Sequence, residues 1–271
     1  MFGVLLRNEW FKARKRIVLW MALGFYALVT FMDKAYSFFE RSDGFRLPDI
    51  WASVFRDDSA TLVMFAAITL VLLTATEFSW RTARQNVIDG LSKSQWFWGK
   101  TLLLPIVGLA FVAAHVLIPG VLALIRTDMG AAASSLVPLS VFQATGGLVL
   151  AFLSVGALAF FLSLAIRKTG AALAVWFLWL GAIEFGMLPP LVQRFLPAFS
   201  DWLEYLPWTN SFPLLAFQNY DAPTFERMVA AAEAAGRSAP AVDLGSHVIM
   251  ATLWTVLFIG SSFIWFRRRD L

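Results

Sequence analysis

Apolar residues gather into six long blocks along this 271-residue chain, and polar residues gather between them. Crossing a bilayer core takes roughly 20 apolar helical residues. The blocks therefore predict six membrane spans, at about 17–32, 60–76, 102–125, 141–166, 171–187 and 247–266. The first and fifth are short and can lengthen into aromatic flanks such as Tyr36, Phe38 and Phe39, whereas the fourth is long enough that it must tilt or protrude. No polar stretch can hold a core of its own, so the expectation is an all-α membrane protein with one transmembrane domain over 1–271.

The polar segments carry patterns of their own. In residues 1–16, Phe2, Leu6, Trp10 and Ala13 continue to Ile17 along one helical arc, with Arg7, Lys12, Arg14 and Lys15 elsewhere, which predicts an amphipathic helix lying in the membrane plane. The insert 77–100 contains two capping-box patterns, Thr82 with Gln85 and Ser92 with Gln95. Gly90 suits a left-handed helix end. Together they predict a helix of about two turns over 83–89 and a second one starting near Lys93 and running into the third span, with Trp96 and Trp98 at the water–lipid boundary. A plain hairpin would need no separate capped helix, so this insert reads as a docking element. The segment 189–246 begins rich in Pro and aromatic residues, which predicts short helices, such as 191–195 and 200–206, dipping into the membrane; a weak exposed helix is expected over 224–235.

Composition agrees with the span pattern: 59% of residues are hydrophobic and 15% charged, against about 25% charged in soluble domains. With no cysteine, disulfides and thiolate metal sites are excluded. The net charge of +4 is no nucleic-acid signal; its placement carries the information. Segments 1–16, 77–100, 167–168 and 267–271 hold fourteen Lys and Arg, while the longer segments 33–59, 126–140 and 189–246 hold eight. Basic residues near span ends mark the cytoplasmic side, so both termini are expected there. The first block follows a basic segment as a signal peptide would, but it is full of aromatic residues and lacks a small-residue cleavage site, so it reads as an uncleaved span.

Few residues within the spans carry chemistry. Glu184 is the one acid inside a span; such a charge costs at least about 2.5 kcal/mol at mid-bilayer. Near the outer end of its span it reads first as an interfacial or snorkelling acid and second as a candidate gating residue. His115, near Pro119 and Gly120, reads as a packed, hydrogen-bonded helix residue before it reads as a ligand, and His247 as a solvated residue at the outer interface. Glu77 is expected to pair with an Arg of the insert, Arg81 being the nearest. Gly99, Lys100 and Thr101 resemble the end of a phosphate-binding loop, but Ser94 stands where the pattern needs Gly, so the chain itself is not expected to bind ATP. Small-residue patterns at Gly147/Ala151 and Gly170/Ala174 fit close helix approach. A lipid-modifying membrane enzyme would need acid–base or nucleophilic groups gathered at one depth, and no such cluster is visible.

Taken in order, the basic amphipathic N-terminus, a second span ending in Glu77, a short Arg- and Thr-bearing helix, the turn Gly90-Leu91-Ser92, Gly99-Lys100 ahead of the third span and the closing run Phe266, Arg267, Arg268, Arg269, Asp270, Leu271 resemble the membrane permease subunits of type 2 ABC transporters. The layout is most similar to small six-span bacterial permeases for drug, bacteriocin-immunity and sodium efflux. Arg81-Thr82 replaces the more usual Gly-Thr before the short helix. The resemblance implies a cytoplasmic coupling helix, with Thr82, Arg84, Gln85, Asn86, Val87, Ile88 and Asp89 seated on a separate ABC ATPase subunit, present in two copies. It also implies a second permease chain, identical or different, meeting this one around the first and fifth spans, and short outer re-entrant helices before the sixth. No cofactor is implied in this chain, since Mg-ATP would sit in the ATPase, and hydrolysis would occur there. The implied location is the bacterial inner membrane and the implied activity is export by alternating access; the nearly uncharged, aromatic interior favours hydrophobic or amphipathic cargo. An accessory permease that senses ATP binding without transporting would use the same docking helix.

Overall fold

The computed structural model describes residues 2–40, 45–57, 59–80, 82–127, 136–235 and 242–269, and among these there is no strand. The chain opens with α1 (Phe2–Arg14), turns at residue 16 and continues as α2 (Ile17–Phe39), the first long apolar helix. A short amphipathic helix, α3 (Ile50–Asp57), precedes α4 (Ser59–Ser79). The polar insert folds into α5 (Thr82–Ile88) and α6 (Lys93–Thr101), and α6 runs with one break into α7 (Leu103–Arg126). Then come α8 (Leu139–Ile166) and α9 (Thr169–Phe177), which passes into a π-helical segment, Leu178–Met187, and on into α10 (Leu188–Phe195). A 3₁₀ segment (Pro197–Tyr205), α11 (Ser211–Leu215), a 3₁₀ turn (Phe217–Asn219) and α12 (Ala222–Ala234) lead to α13 (Leu244–Arg268).

Among the described residues, six helical stretches are long and apolar enough to cross a membrane: Ile17–Phe39, Ser59–Ser79, Lys93–Arg126, Leu139–Ile166, Thr169–Phe195 and Leu244–Arg268. This is a multi-pass membrane protein by helix length and composition. Each stretch contains an expected span and overshoots it, because the flanking aromatic and small residues continue the helix.

The layering follows from composition around each helix. α4 and α8 are apolar on all sides, as buried helices are; they form the centre, with Leu62, Ala66, Leu70, Phe152, Val155 and Ala159 shielded. α2, the α9–α10 stretch and α13 are peripheral and leave large apolar side chains outside, including Trp20, Phe25, Leu178, Phe185, Leu253 and Val256. In water such faces would be anomalous; facing acyl chains they need no cover. Small residues set the close approaches. Gly147 on α8 faces the Tyr220 hydroxyl and the Leu214 carbonyl, leaving no room for a Cβ. The Gly147/Ala151 pattern therefore packs inside this chain. Gly170 and Ala174 lie exposed on α9, and a Cβ on Gly170 would meet nothing within 4 Å.

The structure corrects several local expectations. α3 was not anticipated; its Ile50, Trp51, Val54 and Phe55 are buried, and Phe55 stacks on Phe217 at 5.5 Å. On α1 the buried line is Leu5, Glu9 and Ala13; of the expected arc, Ala13 is buried and Trp10 half-buried against the core, whereas Leu6 and Ile17 face outward, and Phe2's side chain lies outside the described ones. Trp96 is buried inside the bundle, stacked on Phe266 with centroids 4.8 Å apart.

Candidate functional site

The end of the bundle that carries both termini is built around buried charge. Glu77 ends α4, and its Oε1 accepts from Lys100 Nζ at 2.6 Å and Arg16 Nη2 at 3.2 Å. Lys100 also pairs with Glu9 of α1. The side chains of Glu77 and Lys100 are each 2% exposed and that of Glu9 5%. Gly99 makes room for this approach: a Cβ there would lie 3.2 Å from Glu9 Cγ. A charge taken out of water is tolerated only with close opposite partners. Here two carboxylates and two cations, from α1, α4, α6 and the corner between α1 and α2, meet that need together.

The network reaches the insert through α1. Lys12 Nζ binds Glu9 at 3.0 Å and donates to Asn86 Oδ1 of α5 at 3.1 Å. Arg16 donates to Thr76 Oγ1 and to the Leu73 carbonyl, fixing the corner between α1 and α2 against α4. Burial works to raise the Glu9 carboxyl, but the Lys100 ammonium, followed by that of Lys12, outweighs it and holds the group below its usual range.

α5 is short, well terminated and partly exposed. Gly90 adopts φ 105°, the Gly90 N–H bonds the Val87 carbonyl, and the Leu91 N–H bonds the Asn86 carbonyl, which is a Schellman ending. The Ser92/Gln95 capping box forms with both reciprocal bonds. At the other predicted box, Thr82 is already helical, its hydroxyl donating to the Glu77 carbonyl at 3.3 Å, and Gln85 ties Asp89 instead. Ala83 is buried, Asn86 and Val87 are half-buried, and Arg84, Gln85, Ile88 and Asp89 are exposed. Ile88 stands 66% exposed and Trp80 is also exposed. Arg81 lies outside the described residues; the described partners of Glu77 are Lys100 and Arg16.

The remaining singled-out residues sit elsewhere. Glu184, on the π-helical segment, is buried rather than snorkelling. Its Oε1 accepts from the Trp208 N–H at 2.8 Å and from the Thr209 N–H and hydroxyl at 2.6 and 3.0 Å, while Oε2 accepts from Trp179 at 2.9 Å. It anchors the segment before α11 to the fifth apolar stretch. His247 is buried too, with Nδ1 2.8 Å from Asn210 Oδ1, and the Asn210 amide donates to the His247 carbonyl. His115 bridges Tyr26 at 2.7 Å and Ser59 at 3.4 Å, tying α7 to α2 and α4. Ser59 donates to the Phe55 carbonyl, so the consistent arrangement has His115 Nε2–H donating to Ser59 and Tyr26 donating to Nδ1.

The pairing of Glu9, Lys12, Arg16 and Lys100 was not expected from the sequence, where Lys12 and Lys100 carried other readings. A signal was present: Glu9 is the lone acid among five basic residues in 1–16, on the stripe of Leu5 and Ala13, and Gly99 precedes Lys100 as a small residue precedes a close approach. No protein-family model matches this chain, and no curated protein matches it.

Proposed function

We propose that this chain is the membrane-spanning subunit of an ATP-driven transporter, with a separate ATPase seated on α5. The observation that carries the reading is the combination at α5. Its outer face offers Ile88 flanked by Arg84, Gln85 and Asp89, while its inner face is tied through Asn86 and Lys12 to a buried charge network reaching α1, α4 and α6. A helix held in this way can pass a push to the second and third spans as a rigid element. In this reading that end of the bundle is cytoplasmic, in keeping with its Lys and Arg content. Two such chains meet through the exposed faces of the first and fifth spans, where Gly170 and Ala174 permit close approach. The cargo is hydrophobic or amphipathic and the direction is export by alternating access.

The test is mild-detergent purification of the tagged protein from its host with ATPase activity assayed on the eluate. The expected result is a co-purifying, substrate-stimulated ATPase that is lost in Ile88→Asp while the variant inserts and melts like the wild type. An ATPase that substrate does not stimulate would favour an accessory sensor. Normal ATPase recovery with Ile88→Asp would refute docking on α5.

A further inference from the structure

At the same end of the bundle, α13 leaves its apolar run at Arg267, Arg268 and Arg269. A groove of about 310 Å³ opens there, lined by Phe263, Ile264, Arg267 and Arg268. We infer that it is a binding site for an anionic phospholipid, with the phosphate held by the Arg267 and Arg268 guanidinium groups and an acyl chain lying along α13.

Three observations carry this. The first is unspent charge: among the described residues neither Arg267 nor Arg268 pairs with a carboxylate, whereas Arg269 donates to the Ala165 carbonyl. Asp270 lies outside the described residues. A planar guanidinium presents forked donors that match phosphate oxygens. The second is pre-organisation: the Arg267 guanidinium lies 5.4 Å from the Phe263 ring centroid, and Phe263 packs on Trp98. A cation resting on a ring face keeps its N–H edges available to a headgroup. The third is apolar continuity. Ile264, Gly260, Val256, Leu257 and Leu253 succeed one another at helical spacing on the exposed side of α13, and a Cβ on Gly260 would meet nothing within 4 Å. A free anion has no use for that strip, and a soluble protein cannot reach along it once the span is in a bilayer. A lipid uses both parts.

The check is native mass spectrometry of the full-length protein purified gently, with bound lipids identified, then repeated after incubation with mixed phosphatidylglycerol and phosphatidylcholine micelles. Phosphatidylglycerol adducts should exceed phosphatidylcholine adducts in the wild type and fall about thirtyfold in Arg267→Gln/Arg268→Gln, since each of the two juxtamembrane cations contributes about 1 kcal/mol toward an anionic lipid. Arg267→Lys/Arg268→Lys keeps the charge needed for insertion and should retain an intermediate amount. Equal retention of the two lipids, or full retention in the Gln pair, overturns the site. Displacement of the lipid by millimolar inorganic phosphate would show an anion site with no acyl component and overturns it as well. Should the Gln pair fail to insert, undiminished retention in the Lys pair overturns the forked geometry.

Discussion

Lys100 Nζ stands 2.6 Å from Glu77 Oε1, and both side chains are shut away from the surface although each belongs to a boundary region of the sequence. The ion pair joins the end of α4 to the end of α6, so the hairpin carrying α5 is closed at its base by opposite charges.

Lys100→Met removes the cation that, among the described residues, alone faces both Glu9 and Glu77. Breaking a buried pair from one side costs about 3–5 kcal/mol, so this variant should lose most of its thermal stability in detergent. Glu9→Gln/Glu77→Gln combined with Lys100→Met should recover part of it, because no carboxylate is then left unpaired. Melting curves of the single and triple variants decide this; an equal loss in both would mean that packing, not charge, matters at residue 100.

Acid should act through Glu9. Its carboxyl is held below the ordinary value in the folded protein, so its contribution is complete above the unfolded value of about 4.3 and is lost as pH falls through the lower folded one. Wild-type melting temperature should drop across that acidic window. In Glu9→Gln the drop should shrink, with a lower starting stability at neutral pH. An identical acid profile in both proteins would remove Glu9 from the cause.

Glu184→Ala should leave the Trp208 and Thr209 donors and the Trp179 indole without an acceptor. Each buried donor stranded in this way costs about 1–3 kcal/mol. The expected outcome is looser attachment of 207–219, read as faster proteolysis there. Glu184→Gln keeps one carbonyl oxygen for Trp208 and Thr209 and should be milder. Unchanged transport in Glu184→Gln would end the case for a charged gating role.

Asn86→Ala removes the acceptor of Lys12 without exposing a new apolar surface. It should lower melting stability by only about 1 kcal/mol and, if the proposed ATPase docks on α5, reduce its substrate-stimulated activity more than Gln85→Ala does, because among the described residues Gln85 bonds only Asp89 just past the end of α5. Equal effects of the two substitutions would argue against transmission through α1.

Much of the architecture could be read from residue order. Six apolar blocks became six long helices because hydrophobic length is a local property, and Gly90 and the Ser92/Gln95 pair terminate and start helices by contacts within a few residues. What escaped was set by distant partners. The burial of Trp96 depends on Phe266, from the far end of the chain, which supplies a ring to stack on. His247 and Glu184 looked wet because their partners Asn210, Trp208 and Thr209 lie in the segment whose folding back the sequence only sketches. Thr82 fitted a capping pattern, but the Glu77 carbonyl took its hydroxyl.

The pairing of Glu9 with Lys100 also bears on how the chain is assembled. A ribosome delivers Glu9 early and Lys100 only after two long apolar helices have emerged. Until then the first helix has Lys12 as a neighbour but lacks the partner that makes burial of its carboxylate tolerable. By that logic α1 gains the partner for its buried carboxylate only when α6 is in position, so this corner closes after α2 and α4 have been delivered.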